Sequence, residues 1–108
     1  MNNNDHFISV IINTYNGSNF VKKSIRSVID QDYKNLEIIV WDNASIDDTK
    51  NIVSNIKDKR IKYFYNSKFK KLYDARNDAI KLANGEFICF LDVDDFWRKD
   101  KLKLQLQK

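Results

Sequence analysis

Three carboxylates, Asp92, Asp94 and Asp95, follow directly on an apolar run from Phe87 to Leu91, and two large aromatics, Phe96 and Trp97, come after them. Like charges that close repel unless a cation, a helix N-terminus or open solvent relieves them. In extended chain, residues two apart point the same way, so Asp92 and Asp94 are expected to face one ligand. Two hard oxygen ligands suit Mg²⁺ or Mn²⁺, ions that keep positions open for water and phosphate oxygens. The competing reading has Asp94 or Asp95 capping the helix that follows. Both can hold, with one carboxylate capping and another on the metal.

Other polar residues stand where apolar runs stop. Asp42 could accept hydrogen bonds from a base or ribose, or simply close an Asx-turn or cap a helix. Asn13, Thr14, Tyr15, Asn16 and Gly17 end an earlier run. Arg76 sits among Asp74 and Asp78, where a surface ion pair is the ordinary outcome. Lys68, Lys70 and Lys71 form a basic loop that meets phosphate or stays solvated. The aromatics at 63 to 65, 69 and 73 read as core and surface filler, and His6 receives no role. With only 2 glycines, no Gly-rich loop cradles a phosphate, so a bound diphosphate would lean on a metal.

These residues need a scaffold, and the sequence supplies one. Phe7 to Ile12, Leu36 to Trp41, Ile61 to Tyr65 and Phe87 to Leu91 are rich in β-branched and aromatic residues and predict strands. The first, second and fourth are nearly continuous apolar runs, as in parallel strands covered on both faces; the third is mixed and predicts an edge. Between them, helical spacing runs from about Asn19 to Gln31. Ser45 with Asp48 resembles a capping box opening a helix through Ile56. A third helix spans Leu72 to Leu82 and stops at Asn84-Gly85, where a left-handed cap is expected. Leu102, Leu104 and Leu106 alternate like a strand, but their place after the carboxylates favours a helix. Alternation of this kind predicts an α/β domain with a mostly parallel sheet of about four strands, flanked by helices. Ligands of such sheets bind beyond the carboxyl ends of the strands, where three of the four exits carry the polar residues named above.

Apolar residues make up 43% of the 108, enough for one domain and too few for two. A net charge of +4 suits an anionic partner such as a nucleotide or an acidic membrane surface; no nucleic-acid partner is expected. The single cysteine, Cys89, lies in an apolar run as a structural thiol. No apolar stretch is long enough to span a bilayer and the start lacks a secretion signal, so a cytoplasmic setting is expected.

Taken in order, SVIINTYNGSNFVKKSIRSVIDQDY, EIIVWDNASIDDT, RIKYFYN, DARNDAI and ANGEFICFLDVDDFW resemble the N-terminal half of a family 2 glycosyltransferase of the GT-A fold. The resemblance covers nearly all of residues 7 to 104. It implies a Rossmann-like nucleotide-sugar site, a UDP-sugar favoured, with Thr14 and Asp42 at the base and ribose and Tyr15 and Asn16 in the same motif. Arg76 matches an arginine near the nucleotide. Asp92 and Asp94 match the D-x-D pair, the first addressing ribose or metal and the second holding Mg²⁺ or Mn²⁺ against the diphosphate. Transfer to an acceptor hydroxyl with inversion follows. Two departures stand out: the family usually has proline at Asn13, predicting a looser turn, and glycine near Lys71.

Family members continue past the D-x-D into an acceptor-binding half with a carboxylate base, so residues 1 to 108 are expected to form a single truncated donor-binding domain, with no general base assignable. The far edge of the Phe87 to Leu91 strand would then be open, which predicts self-association. Peripheral contact with the inner face of the cytoplasmic membrane is a further expectation. The alternatives are a non-catalytic nucleotide-binding or interaction fragment and a phosphoacceptor signalling domain. The latter wants acids after the first strand, where Asn13 and Thr14 stand.

Overall fold

The computed structural model describes residues 6–106. Along the chain run β1 (Ile8–Thr14), α1 (Val21–Ile29), β2 (Leu36–Asn43), α2 (Thr49–Ser54), β3 (Ile61–Asn66), α3 (Leu72–Ile80), β4 (Phe87–Phe90) and α4 (Lys101–Leu106). The strands form one parallel sheet in the order β3-β2-β1-β4. Thr14 pairs with Asp42 and Asp42 with Tyr65, so the carboxyl ends of the three strands lie along one edge.

Alternation divides the sheet's side chains between two helical layers. Ile8, Val10, Ile12, Leu36, Ile38 and Val40 face Val21, Ile25 and Val28 of α1, together with Val53 and Leu102. On the opposite face Ile11, Ile39 and Trp41 meet Ala75 and Ala79 of α3. Two alanines let α3 lie close to the sheet, and that closeness brings its N-terminal half to the ends of β1 and β2. Fully burying an aliphatic side chain contributes about 1.5–3 kcal/mol, so the α1 face carries most of the stability.

Glu37 shows how β4 is anchored. Almost fully buried on the α3 face, it accepts hydrogen bonds from Ser9 Oγ at 2.5 Å, Lys62 Nζ at 2.6 Å and Asn84 N–H at 2.7 Å. Burial alone would raise its pKa, but these bonds hold it below the ordinary carboxylate value. Ser9 Oγ also accepts from Gly85 N–H at 2.8 Å. Gly85 is not a left-handed cap, since no glycine has positive φ among the described residues. It is glycine because an added Cβ would lie 2.5 Å from Ser9 N and 2.9 Å from Ile8 C, both backbone atoms.

Several expectations need correction. β4 is not covered on both faces: Phe87, Ile88 and Phe90 are exposed, because β4 ends the sheet and α3 packs over β1 and β2 instead. No capping box at Ser45 opens α2; the helix starts at Thr49, since Ser45 and Asp47 are engaged by the neighbouring loop. Asn13 holds its register against Trp41 inside β1 without a proline. Lys71 takes φ −63° and ψ 152°, extended backbone that needs no glycine. The tail is a helix, tied to the end of α1 by Gln31, whose buried amide donates to Ser27 and Arg98 carbonyls and accepts from Leu102 N–H. Cys89 is half-buried and unbridged, and burial pushes its thiol pKa up. Among the described residues no helix is long and apolar enough to cross a membrane.

Candidate active site

At the carboxyl edge, the β1–α1 and β2–α2 loops are stitched together. Asn16 takes a left-handed backbone (φ 50°); its N–H donates to Ser45 Oγ at 2.8 Å and its side-chain oxygen accepts from Ile46 N–H at 2.8 Å. Asp47 accepts from Ser18 N–H at 3.0 Å and from the Thr49 hydroxyl at 2.5 Å. Burial opposes ionisation of Asp47, yet the Thr49 and Ser18 bonds bring its pKa down to about 2.

Asp42 belongs to this stitched region. It is fully buried, with one oxygen accepting from Ser45 N–H at 3.0 Å and the other from the Tyr63 hydroxyl. Burial, then the bond to Asp42, push the Tyr63 phenol well above its usual range. The Asx-turn reading therefore holds locally, and the carboxylate is turned inward. Tyr63, read as filler, is the residue that secures it.

Beside it lies a pocket of about 160 Å³ lined by Asn13, Thr14, Tyr15, Asn43, Phe69, Leu72 and Ala75. That is below the ~300 Å³ of ordinary ligand pockets, so it accommodates part of a ligand. Tyr15 and Phe69 form its wall, edge to face with centroids 4.7 Å apart, and both are exposed. Phe69 is held there because Asn43 bonds both the N–H and the C=O of Lys70, at 2.9 and 2.7 Å. Asn13 Oδ1 and Thr14 Oγ1 are buried without a hydrogen-bond partner among the described residues. Such orphaned groups are uncommon and invite a ligand or a water.

The carboxylates follow β4, which pairs with β1 on the side away from β2. Asp92 to Asp95 form a turn, closed by Asp95 N–H to Asp92 O at 2.9 Å, not the extended segment expected. Neither Asp94 nor Asp95 caps α4, which begins at Lys101. Val93 docks the turn on the β1–α1 loop: a Cβ on Gly17 would lie 2.9 Å from Val93 Cγ2 and 2.4 Å from Thr14 Oγ1. Arg76 pairs with Asp92 at 3.5 Å and lies over the Phe90 ring at 5.0 Å, rather than pairing within α3. Asp78 instead takes Lys70, so that lysine is not simply solvated.

The fold thus brings Thr14, Tyr15, Arg76, Asp92 and Asp94 to one edge and turns Asp42 and Asn16 toward scaffolding bonds. Tyr63, Phe69 and Asp47 are site-building residues that the sequence reading does not single out. The D-x-T spacing of Asp47 and Thr49 is the one sequence signal that could have found any of them. Among the described residues no group of three His, Cys, Asp or Glu side chains could hold a metal by itself. Exposed Asp92 and Asp94 fit in kind a partly hydrated divalent ion that takes its other ligands from water and a diphosphate.

The profile of glycosyl transferase family 2 matches residues 9–108. The chain belongs to that family. It is 42% identical over 99 residues to WfaP of Escherichia coli, a UDP-Glc:α-D-GlcNAc-diphosphoundecaprenol β-1,3-glucosyltransferase, covering 92% of this chain and 39% of that protein. S. aureus TarS in complex with UDP superposes with a TM-score of 0.86 at 33% identity, over 93% of this chain and 31% of TarS. The Pyrobaculum calidifontis mannosyltransferase PcManGT, solved with GDP-Man and Mn²⁺, gives 0.81 at 28% identity over 88% of this chain and 30% of its own. This family 2 chain therefore spans about two fifths or less of these relatives, and its sheet is the Rossmann-like part of their GT-A fold.

Proposed function

We propose that residues 1 to 108 are a single donor-binding domain of an inverting glycosyltransferase, which transfers a sugar from a nucleoside-diphosphate sugar to an acceptor hydroxyl. The Arg76–Asp92 contact carries this reading. It sets a guanidinium and a hard carboxylate side by side at the carboxyl edge, next to the aromatic-walled pocket. Tyr15 with Phe69 offers a stacking wall to the base, and Asn13 and Thr14 offer unsatisfied polar atoms to the nucleoside. Asp42 addresses base or ribose from the fixed position that the Ser45 N–H and the Tyr63 hydroxyl give it. Arg76 meets the diphosphate in a bidentate grip. Asp92 and Asp94 hold Mg²⁺ or Mn²⁺, which when bound neutralises charge on the departing nucleoside diphosphate. No residue here is assigned as the general base; Asp95 adjoins the metal pair and accepts from Phe96 N–H at 2.8 Å.

A UDP-sugar is favoured by the relatives named for UDP-Glc and solved with UDP, against GDP-Man in PcManGT. Because the WfaP acceptor is named as lipid-linked, we place the reaction in the cytoplasm, peripheral to the inner membrane face. The test is thermal unfolding with UDP, GDP or neither, each with and without Mn²⁺. A ligand at a hundredfold its dissociation constant stabilises by ~2.7 kcal/mol. A Mn²⁺-dependent rise in Tm with UDP alone, lost in Asp94→Asn, is expected; no rise with either nucleotide would favour a non-catalytic interaction module. A second proposal, pairing of two copies along the free edge of β4, is favoured by its exposed Phe87, Ile88 and Phe90. A monomer by light scattering at high concentration would oppose it.

A further inference from the structure

The residues after the metal turn build a second surface that the donor site does not use. Phe96 and Leu104 are each about half exposed (54% and 49%), while Trp97 is half-buried against the α1 layer. Two open clefts, of about 380 and 340 Å³, flank the Phe96–Trp97 pair. Cations ring them. Lys23 Nζ of α1 lies 4.1 Å from the Phe96 centroid and Lys101 Nζ of α4 lies 5.0 Å from that of Trp97. Arg26 and Lys99 line the first cleft. Arg98 is paired with Asp100 at 3.2 Å and Lys99 loosely with Asp32 at 3.8 Å. Lys23, Arg26 and Lys101 have no ion pair among the described residues, although Asp30 also lines the first cleft.

We propose that this aromatic and basic face, built from α1, the Phe96–Trp97 segment and α4, seats the domain on an anionic lipid surface. Aromatic rings settle at headgroup depth, and lysine and arginine stems lie along apolar surface while their charged ends reach phosphate. Charge complementarity selects the partner: three unpaired cations beside an apolar patch suit a negative leaflet. A protein partner is the poorer fit, since anchoring side chains at protein interfaces fill enclosed, fully desolvated pockets, and these clefts are shallow and open. The patch follows the Asp92–Asp95 turn by a few residues, so a domain seated this way holds its donor edge near the membrane. The inference deepens the peripheral-membrane reading above and rests on it.

Vesicle co-sedimentation of the full chain tests it, using phosphatidylcholine alone and phosphatidylcholine with about 30 mol% phosphatidylglycerol. Binding is expected to the anionic vesicles only, and to fall when salt is raised to about 1 M, where the screening length is about 3 Å. Each Lys or Arg near such a surface is worth about fivefold in partitioning, so Lys101→Glu, which removes one positive charge and adds a negative one, should weaken binding about 25-fold. Lys81→Glu, the same charge change just after α3 on the opposite face, should weaken it far less. In Trp41→Phe, which leaves Trp97 as the one tryptophan, lipids brominated on their acyl chains should quench its fluorescence. Equal losses in Lys101→Glu and Lys81→Glu, absence of binding to anionic vesicles, or no quenching of Trp97 would overturn the proposal. The UDP-dependent Tm shift, read on the same proteins, separates failure here from failure of the donor reading, because Lys101→Glu leaves that shift unchanged.

Discussion

The two sides of the carboxyl edge are built differently. On the β1–β2 side, Asn16, Ser45 and Asp42 are tied to one another, to Ile46 and to Tyr63, Asp47 is tied to Ser18 and Thr49, and Asp42 is fully buried. On the β4 side, Asp92, Asp94 and Asp95 are exposed, held by one turn bond, one long ion pair to Arg76 and a bond from the adjacent Phe96 N–H to Asp95. A ligand's invariant, neutral part is best met by a preorganised surface. A charged part arriving with its own counterion is best met by carboxylates free to reorient. The rigid side would then recognise the nucleoside and the loose side would accommodate a metal-bound diphosphate.

The largest test of this contrast is Asp42→Ala. It strands the Tyr63 hydroxyl and Ser45 N–H in a buried site, and should lower unfolding stability by about 3 kcal/mol in urea titration. If Asp42→Ala were as stable as wild type, the stitched side would not be rigid.

Next is Glu37→Gln, expected to cost about 2 kcal/mol at neutral pH by weakening a buried charged network. Its lowered folded pKa means the Glu37 contribution is fully present above the ordinary carboxylate value of 4.5 and disappears as pH falls through the folded value. Glu37→Gln should therefore flatten the acid limb of the stability curve.

A smaller signal comes from Asp47, whose carboxyl should titrate near 2 by NMR, below the ordinary 3.8. Its contribution is likewise present above 3.8 and lost as pH falls toward about 2. Smallest are Asp94→Asn and Arg76→Ala, expected within about 0.5 kcal/mol of wild type in stability, because exposed charges contribute little. A large loss of stability in either would erase the contrast.

Much of this was readable beforehand. The β-branched and aromatic runs placed all four strands to within a residue or two, and the alternation with helical spacing predicted the parallel sheet. The strand exits were the right place to look for chemistry. What stayed hidden depended on contacts between distant residues. Ser45 reads as a cap from its neighbours, but Asn16, on another loop, claims it. Phe87 to Leu91 reads as covered on both faces because apolar runs signal burial; its open far edge is expected, but not that α3 packs over β1 and β2 and leaves β4 exposed. Asp42 reads equally as a ligand acceptor or an Asx-turn; the turn is what the fold holds, and the Tyr63 hydroxyl that the β2–β3 register brings to it could not be read beforehand. Thr14 is a candidate from its motif alone, but that its hydroxyl and the Asn13 side-chain oxygen lack partners shows only in the fold.

Gln31 has a consequence of a different kind. Its buried side chain grips the carbonyls of Ser27 and Arg98 and the N–H of Leu102, and the next residue's N–H, Asp32, bonds Lys99 O at 2.9 Å. None of these bonds touches the sheet. One corner thus sets the height of the Phe96–Trp97 segment and α4 against α1, while Glu37 and Ser9 independently set the height of β4. Two attachments made by separate residues can drift separately in evolution. Descendants of this sequence could change the surface on which they rest without retuning the edge where a nucleotide would bind.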